Sequence, residues 1–238
     1  MSIQAYQKYK PAGTQWIDSV PSHWRVEKLK FVAANNSSNV DKHSYEDEIP
    51  VRLCNYTDVY YNDFIKDDLE FMEATATKQE IDRFSLLPGD ILITKDSESW
   101  DDIAIPALVS EPLKNVLCGY HLSHIRPNDE HIIGRYLFWL LSSETINRQF
   151  QVSANGVTRF GLPKYYIDNA ILLVPPLDEQ VAIADFLDEK TREFDATVTR
   201  IGGTKAGDVA SDDSWIGLIR KYRSALVTAA TTGQIKVA

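Results

Sequence analysis

The chain has 238 residues, 44% of them hydrophobic, and a formal net charge of −9 at pH 7. That suits one large or two small domains with a real core, and the acidic total argues mildly against a nucleic-acid partner. No run approaches the roughly 18 uninterrupted apolar residues of a membrane span. The opening "MSIQAYQKYK" lacks a signal-peptide core, and two cysteines, Cys54 and Cys118, are too few for a disulfide framework. A cytoplasmic protein with buried free thiols is expected.

In chain order, "TQWIDSVPSHWRVEKLKFVAA" (14–34) begins with turns and passes into a strand or short helix. "IPVRLCNYTDVY" (49–60) reads as one strand, rich in β-branched and aromatic residues. "KQEIDRFSLL" (78–87) suits a short helix, "PGDILITK" (88–95) a turn and a buried strand, and "IPALVS" and "NVLCGYHLSHIRP" further strands. "GRYLFWLLSSETINRQFQVSA" (134–154) has helical length and an apolar face, and "NGVTRFGLPKYYIDNAILLVPP" is a loop and a last strand. Residues 1–176 are therefore expected to form an α+β globule, one mixed, mostly antiparallel domain, followed by a long coiled-coil-forming helical region over 177–238.

Pro175 and Pro176 close the globule, and Asp178 and Glu179 suit the positive end of a helix dipole. From there Ala184, Leu187, Thr191, Phe194, Val198 and Ile201 fall at steps of three and four, the signature of a coiled-coil seam. A second stretch repeats it with Trp215, Ile219, Tyr222, Leu226 and Ala229. The positions between, Lys205, Asp208 and Asp212, are charged and lie among Gly202, Gly203 and Gly207, so a flexible break is expected at 202–213. The seam either packs on the chain's own globule or meets another helix, from this chain or from a second copy.

Charge is unevenly spread. Residues 41–102 hold 17 acids and six bases, whereas residues 1–40 carry a net +3 and residues 103–176 a net +1. A polyanionic partner should avoid the acidic middle. No phosphate-binding or dinucleotide loop is present. His121 and His124 form an H-x-x-H pair, but three residues apart on a strand they point to opposite faces, against a metal site. Asp90 and Lys95 have a nuclease-like flavour, yet the acid–any–lysine spacing is missing and a turn into a core strand explains them better. Nothing makes a positive case for catalysis. The stretch "SANGVTRFGLPKYY" (153–166), with Asn155, Thr158, Arg159 and Lys164 and one nearby acid, Asp168, suits phosphate and base-edge contacts. An ordinary surface loop is the alternative.

Several pieces together resemble the DNA-specificity subunit of type I restriction-modification systems. They are "QWIDSVPSHWRVEKLK" (15–30), "LLPGDILITK" (86–95), "NGVTRFGLP" (155–163), "ILLVPPLDEQVAIADFLDEKT" (171–191) and "LIRKYRSALVTAATTGQI" (218–235). The proline pair with Glu179-Gln180, followed by "FLDEKT", is the most specific. The resemblance implies a non-catalytic protein without a cofactor of its own. In that family each target recognition domain reads half of a bipartite site on double-stranded DNA. Conserved helices set the spacing and hold modification subunits, which use S-adenosylmethionine; a restriction subunit, nuclease and translocase, completes the complex. The usual subunit has two recognition domains and two conserved regions, and this sequence has one of each. A half-subunit working as a homodimer is therefore expected, with DNA contacts from Asn155, Thr158, Arg159 and Lys164 helped by Tyr120, His121, Lys95 and Ser97. An interaction or regulatory protein, competing with a full subunit for the modification subunit, is the alternative.

Overall fold

In the computed structural model, which describes residues 4–201 and 214–237, β1 (Tyr9–Pro11) and β2 (Ser19–Pro21) form an N-terminal ribbon. β3 (Arg25–Lys28), the one-turn helix α1 (Leu29–Val32) and β4 (Ala33–Ser37) follow. The run 49–60, expected as one strand, divides into β5 (Ile49–Cys54) and α2 (Tyr56–Tyr61). The cause is local: the Asn55 backbone N–H donates to the Asp58 carboxylate at 2.7 Å, which starts a helix where β propensity alone would continue the strand. β6 (Phe64–Ile65) and β7 (Met72–Ala76) lead to α3 (Lys78–Phe84), opened by a Thr77–Glu80 capping box. Next come β8 (Ile91–Thr94), β9 (Asp96–Ser97), β10 (Pro106–Val109), β11 (Val116–Cys118) and β12 (Leu122–Pro127).

The stretch 134–154, expected as one helix, is two: α4 (Gly134–Leu141) and α5 (Glu144–Gln151). Ser143 between them takes an extended backbone, and the Ser142 hydroxyl donates back to the Phe138 carbonyl at 2.8 Å. Serine side chains compete with the helical ladder in this way. β13 (Asn155–Gly156) and β14 (Phe160–Gly161) make a small hairpin, and α6 (Lys164–Asp168), β15 (Ile171–Val174), α7 (Leu177–Arg200) and α8 (Trp215–Thr231) complete the chain.

Five strands form the main sheet in the order β4-β12-β8-β10-β6, antiparallel except for the β10–β6 pair. A second sheet, β11-β5-β7, has one parallel and one antiparallel pairing. The fold is thus mixed and mostly antiparallel, as expected. Alternation explains why "ILIT" is apolar throughout. Ile91 and Ile93 face a core shared with α4, α7 and α8, while Leu92 faces a second core against the smaller sheet. Cys54 and Cys118 lie side by side in register within that second core, and burial pushes both thiols up, away from reactivity.

The first core runs across residue 176. Ile183, Ala184 and Leu187 of α7 join the α4 residues Leu137 and Leu140 and the α8 residues Leu226, Val227 and Ala230. α7 ends at Ile201, and α8 restarts at Ser214, whose hydroxyl accepts from the Gly217 N–H at 3.0 Å. α8 folds back along α7, with Phe194 meeting Tyr222 edge-on at 5.5 Å between ring centroids. The expected break at 202–213 lies outside the described residues. Of the seam positions, Ala184, Leu187, Thr191, Val198 and Leu226 are buried, and Phe194, Ile219 and Ala229 are half-buried. Ile201 and Trp215 point outward, Trp215 with 79% of its surface exposed, whereas Tyr222 lays its half-exposed ring on Phe194. α8 instead buries the face carrying Gly217, Leu226, Val227 and Ala230, offset from the heptad read in the sequence. The offset arises because α8 meets α4 and α5 as well as α7, so two directions of burial compete.

Two buried polar clusters fix this arrangement. Asp90, 2% exposed, accepts from Arg126 at 2.8 and 2.7 Å and from the Leu87 N–H at 2.8 Å, with His124 Nε2 at 2.8 Å. Burial pushes its carboxyl up, but hydrogen bonds from Arg126 and His124 outweigh that and hold it below the usual carboxylate range. Its contribution is therefore present above the unfolded aspartate pKa, about 3.9, and is lost as pH falls through the lower folded value. Asp90→Ala should cost about 3 kcal/mol near neutrality, with the gap to wild type closing in urea titrations below about pH 4. At the start of α7, the Gln180 side chain accepts from the Ile133 N–H at 2.9 Å and donates to the His131 and Pro175 carbonyls, both at 2.9 Å. Gln180→Leu should cost about 2–3 kcal/mol in denaturant unfolding, because it strands three backbone groups; a loss within 0.5 kcal/mol would contradict that accounting.

Candidate nucleic-acid interface

Three chain segments meet at one end of the main sheet. Leu162 N–H donates to the Lys95 carbonyl at 2.8 Å, and Lys95 N–H to the His121 carbonyl at 3.2 Å. β14 pairs with β9, setting Phe160 opposite Ser97 and Gly161 opposite Asp96. The hairpin that carries Arg159 is thereby strapped to the strand end that carries Lys95, and Tyr120 and His121 sit alongside. Gly119 makes this possible: its N–H donates to the Cys54 carbonyl at 2.8 Å, and a Cβ there would lie 2.7 Å from that oxygen.

The sequence-predicted residues take different environments. Asn155, Thr158 and Arg159 are exposed on the hairpin, and Val157 at its tip is 91% exposed. Arg159 makes no hydrogen bond or ion pair among the described residues. Lys164, by contrast, is held by Asp168 at 2.6 and 2.7 Å within α6. Lys95 is half-buried; its ammonium donates to the Ser38 carbonyl at 3.2 Å, and burial lowers its pKa. His121 Nδ1 lies 2.8 Å from an Asp96 carboxylate oxygen, and the Tyr120 ring packs on the imidazole with centroids 3.7 Å apart. Ser97 is buried and accepts from the Ser99 N–H at 3.2 Å, so its hydroxyl serves the local turn. His124 lies on β12, just after the connection that carries His121, and points into the core toward Asp90.

Sequence reasoning missed a basic belt along β4, the edge strand of the main sheet. Lys28 and Lys30 both donate to the Asn169 side chain, at 3.3 and 3.0 Å, and Arg83 donates to Asn36 at 3.1 Å. Asn35 donates to Asp168 at 2.9 Å and accepts from Ser123 at 2.7 Å, tying the belt to α6. Phe31 and Tyr165, 62% and 68% exposed, lie in α1 and α6 beside these cations. The net positive charge of residues 1–40 was the available signal, but only strand pairing brings that segment next to α6. Exposed cations, amides and aromatic rings together suit phosphate contact and base stacking or edge contact. No His, Cys, Asp and Glu cluster able to hold a metal occurs among the described residues, and no described helix is long and apolar enough to cross a membrane.

No curated protein matches the chain. The fold is similar to that of the HsdS subunit from Thermoanaerobacter tengcongensis, at a TM-score of 0.55 and 16% identity, covering 94% of this chain and 48% of that one. It is similar also to a chain from a structure on complex assembly and conformational transition of the type I R-M system, at 0.58 and 15%, covering 94% and 49%. The type IIG restriction endonuclease BpuSI matches at 0.51 and 12%, covering 88% and 31%. The chain spans about half the length of the first two. Residues 52–201, which include the hairpin, the Lys95 and His121 segments and all of α7, match the model of the type I restriction modification DNA specificity domain, and the chain belongs to that family.

Proposed function

We propose that this chain is a non-catalytic, sequence-specific DNA-binding subunit of a type I restriction-modification complex, and that the face built by β4, α6 and the Asn155–Gly161 hairpin meets double-stranded DNA. The observation that carries the reading is the exposed, unneutralised Arg159 on a hairpin strapped to the Lys95 and His121 segments, within a chain of the DNA-specificity family. Asp168 on this face is paired with Lys164, and Asp96 beside it is hydrogen-bonded to His121. The chain binds no cofactor in this reading. S-adenosylmethionine belongs to the modification subunit, which docks on the helical region, and a restriction subunit joins them in the cytoplasm.

The helical region also supports pairing of two copies. Trp215 and Leu218 leave exposed apolar surface at the start of α8, which a second copy would cover. Two recognition domains related by a two-fold axis would read identical half-sites.

Arg159→Ala should weaken DNA binding and flatten the salt dependence of log K by about 0.9, the loss of one phosphate contact. Lys164→Ala should do less, since Asp168 already neutralises that ammonium. Binding isotherms between 50 and 200 mM salt separate the two, and unchanged slopes in both variants would remove the hairpin from the interface. With its modification subunit, the protein should methylate an interrupted palindrome, read by sequencing modified DNA. An asymmetric motif would eliminate the homodimer and require a second, different recognition chain.

A further inference from the structure

The pairing of Asp96 with His121 carries a consequence for which base is read. His121 lies in the short connection between β11 and β12, and both ends of that connection are fixed. Gly119 is bonded to Cys54, the Leu122 N–H returns to the Gly119 carbonyl at 3.0 Å, and the His121 carbonyl accepts from Lys95. The imidazole is held as tightly as its backbone. Tyr120 packs against the ring, and the Asp96 carboxylate lies 2.8 Å from Nδ1. A carboxylate only accepts, so in the neutral ring the proton sits on Nδ1 and donates to Asp96. The lone pair is then on Nε2. That atom makes no hydrogen bond among the described residues and is not sealed from solvent. The result is a single acceptor of fixed direction, on a rigid ring, at the place where the hairpin, the β8–β9 segment and the β11–β12 connection converge.

An ordinary surface histidine keeps both tautomers and swings freely; this one keeps neither freedom. Rigidity of that kind has little use for a phosphate, which offers acceptors to an acceptor. It suits a base edge that offers a donor. In the major groove the exposed donors are the N4 amino group of cytosine and the N6 amino group of adenine, whereas guanine and thymine present acceptors at the corresponding places.

We propose that His121 Nε2 reads an amino-bearing base, cytosine or adenine, at one position of the half-site, with Asp96 as the positioning residue that sets the tautomer. The inference rests on the DNA-reading function proposed above. Two variants separate its parts. His121→Phe keeps a flat ring against Tyr120 and removes the acceptor; Asp96→Ala keeps the acceptor and releases the tautomer.

The test selects bound duplexes from a random-sequence library with the full chain and its modification subunit, for wild type and both variants, at matched thermal stability. If wild-type protein enriches no motif, the DNA-reading function itself fails. If it does, His121→Phe should lose about 2- to 13-fold of discrimination at one base pair, the worth of one hydrogen bond, while preferences elsewhere are kept. Asp96→Ala should relax the same base pair, admitting guanine or thymine there. In wild type, nitrogen-15 spectra should show the His121 proton on Nδ1, and in Asp96→Ala a mixture of tautomers. The proposal is overturned by either of two results: base preferences unchanged in both variants, or a uniform loss of affinity with no change at any single base pair, which would make His121 a backbone contact.

Discussion

Everything beyond residue 176 depends on two adjacent buried side chains, Glu179 and Gln180. Glu179 accepts from the Trp24 indole at 2.6 Å and from His23 at 3.0 Å. Gln180 bonds the backbone on both sides of the turn into α4. Burying a carboxylate and an amide costs several kcal/mol unless every group is met, so these residues hold α7 in one direction only. Burial and the Glu179 carboxylate raise the phenol of Tyr6 well above its usual range. The N-terminal ribbon closes over the same corner, where the Tyr9 hydroxyl donates to the Gly233 carbonyl at 3.0 Å and the Lys236 N–H to Gln4 at 2.6 Å. The two ends of the chain and the start of the long helix are one packed unit.

That unit gives the specificity domain a rigid handle. The 24 residues of α7 span about 36 Å, and their first half is welded to α4 through shared core residues and through Asp188, which accepts from the Trp139 indole at 2.7 Å and from Arg135. The end from Phe194 onward packs on α8, where Phe194 meets Tyr222. The angle set at Glu179 and Gln180 therefore fixes how the rest of α7 lies against the domain.

The proposed DNA face has the same rigid support. The central strands β8, β10 and most of β12 are buried on both sides, and their ends and the edge strand β4 hold the residues that face outward. Thr94 shows the economy of this: its hydroxyl accepts from the Ile105 N–H at 3.0 Å, closing the strand immediately before Lys95 leaves the core. The acids that dominate residues 41–102 sit largely on the smaller sheet and its connections, and Arg52 and the Lys114 N–H are enlisted there to hold Asp67. A chain of negative total charge thereby keeps a face with exposed cations.

The sequence alone determined what is local or periodic. The turn at Pro88-Gly89 and the apolar run after it marked a buried strand, "KQEIDRFSLL" read as the short helix α3, the proline pair and first-turn acids marked the start of α7, and the motifs around Glu179-Gln180 carried the family resemblance. These signals rest on neighbours a few residues apart, which a linear reading sees. It went astray where two local preferences compete, at Asn55 and at Ser142–Ser143, because a single capping bond outweighs the propensity of a whole run. What only the tertiary structure decided is which distant residues share a surface. The placing of Lys28 and Lys30 against Asn169, the capture of Lys164 by Asp168, the pairing of His121 with Asp96 and the outward turn of Trp215 all depend on strand order and on helices packed from more than one side. Such contacts join residues up to 141 positions apart, and no periodicity within a single segment encodes them.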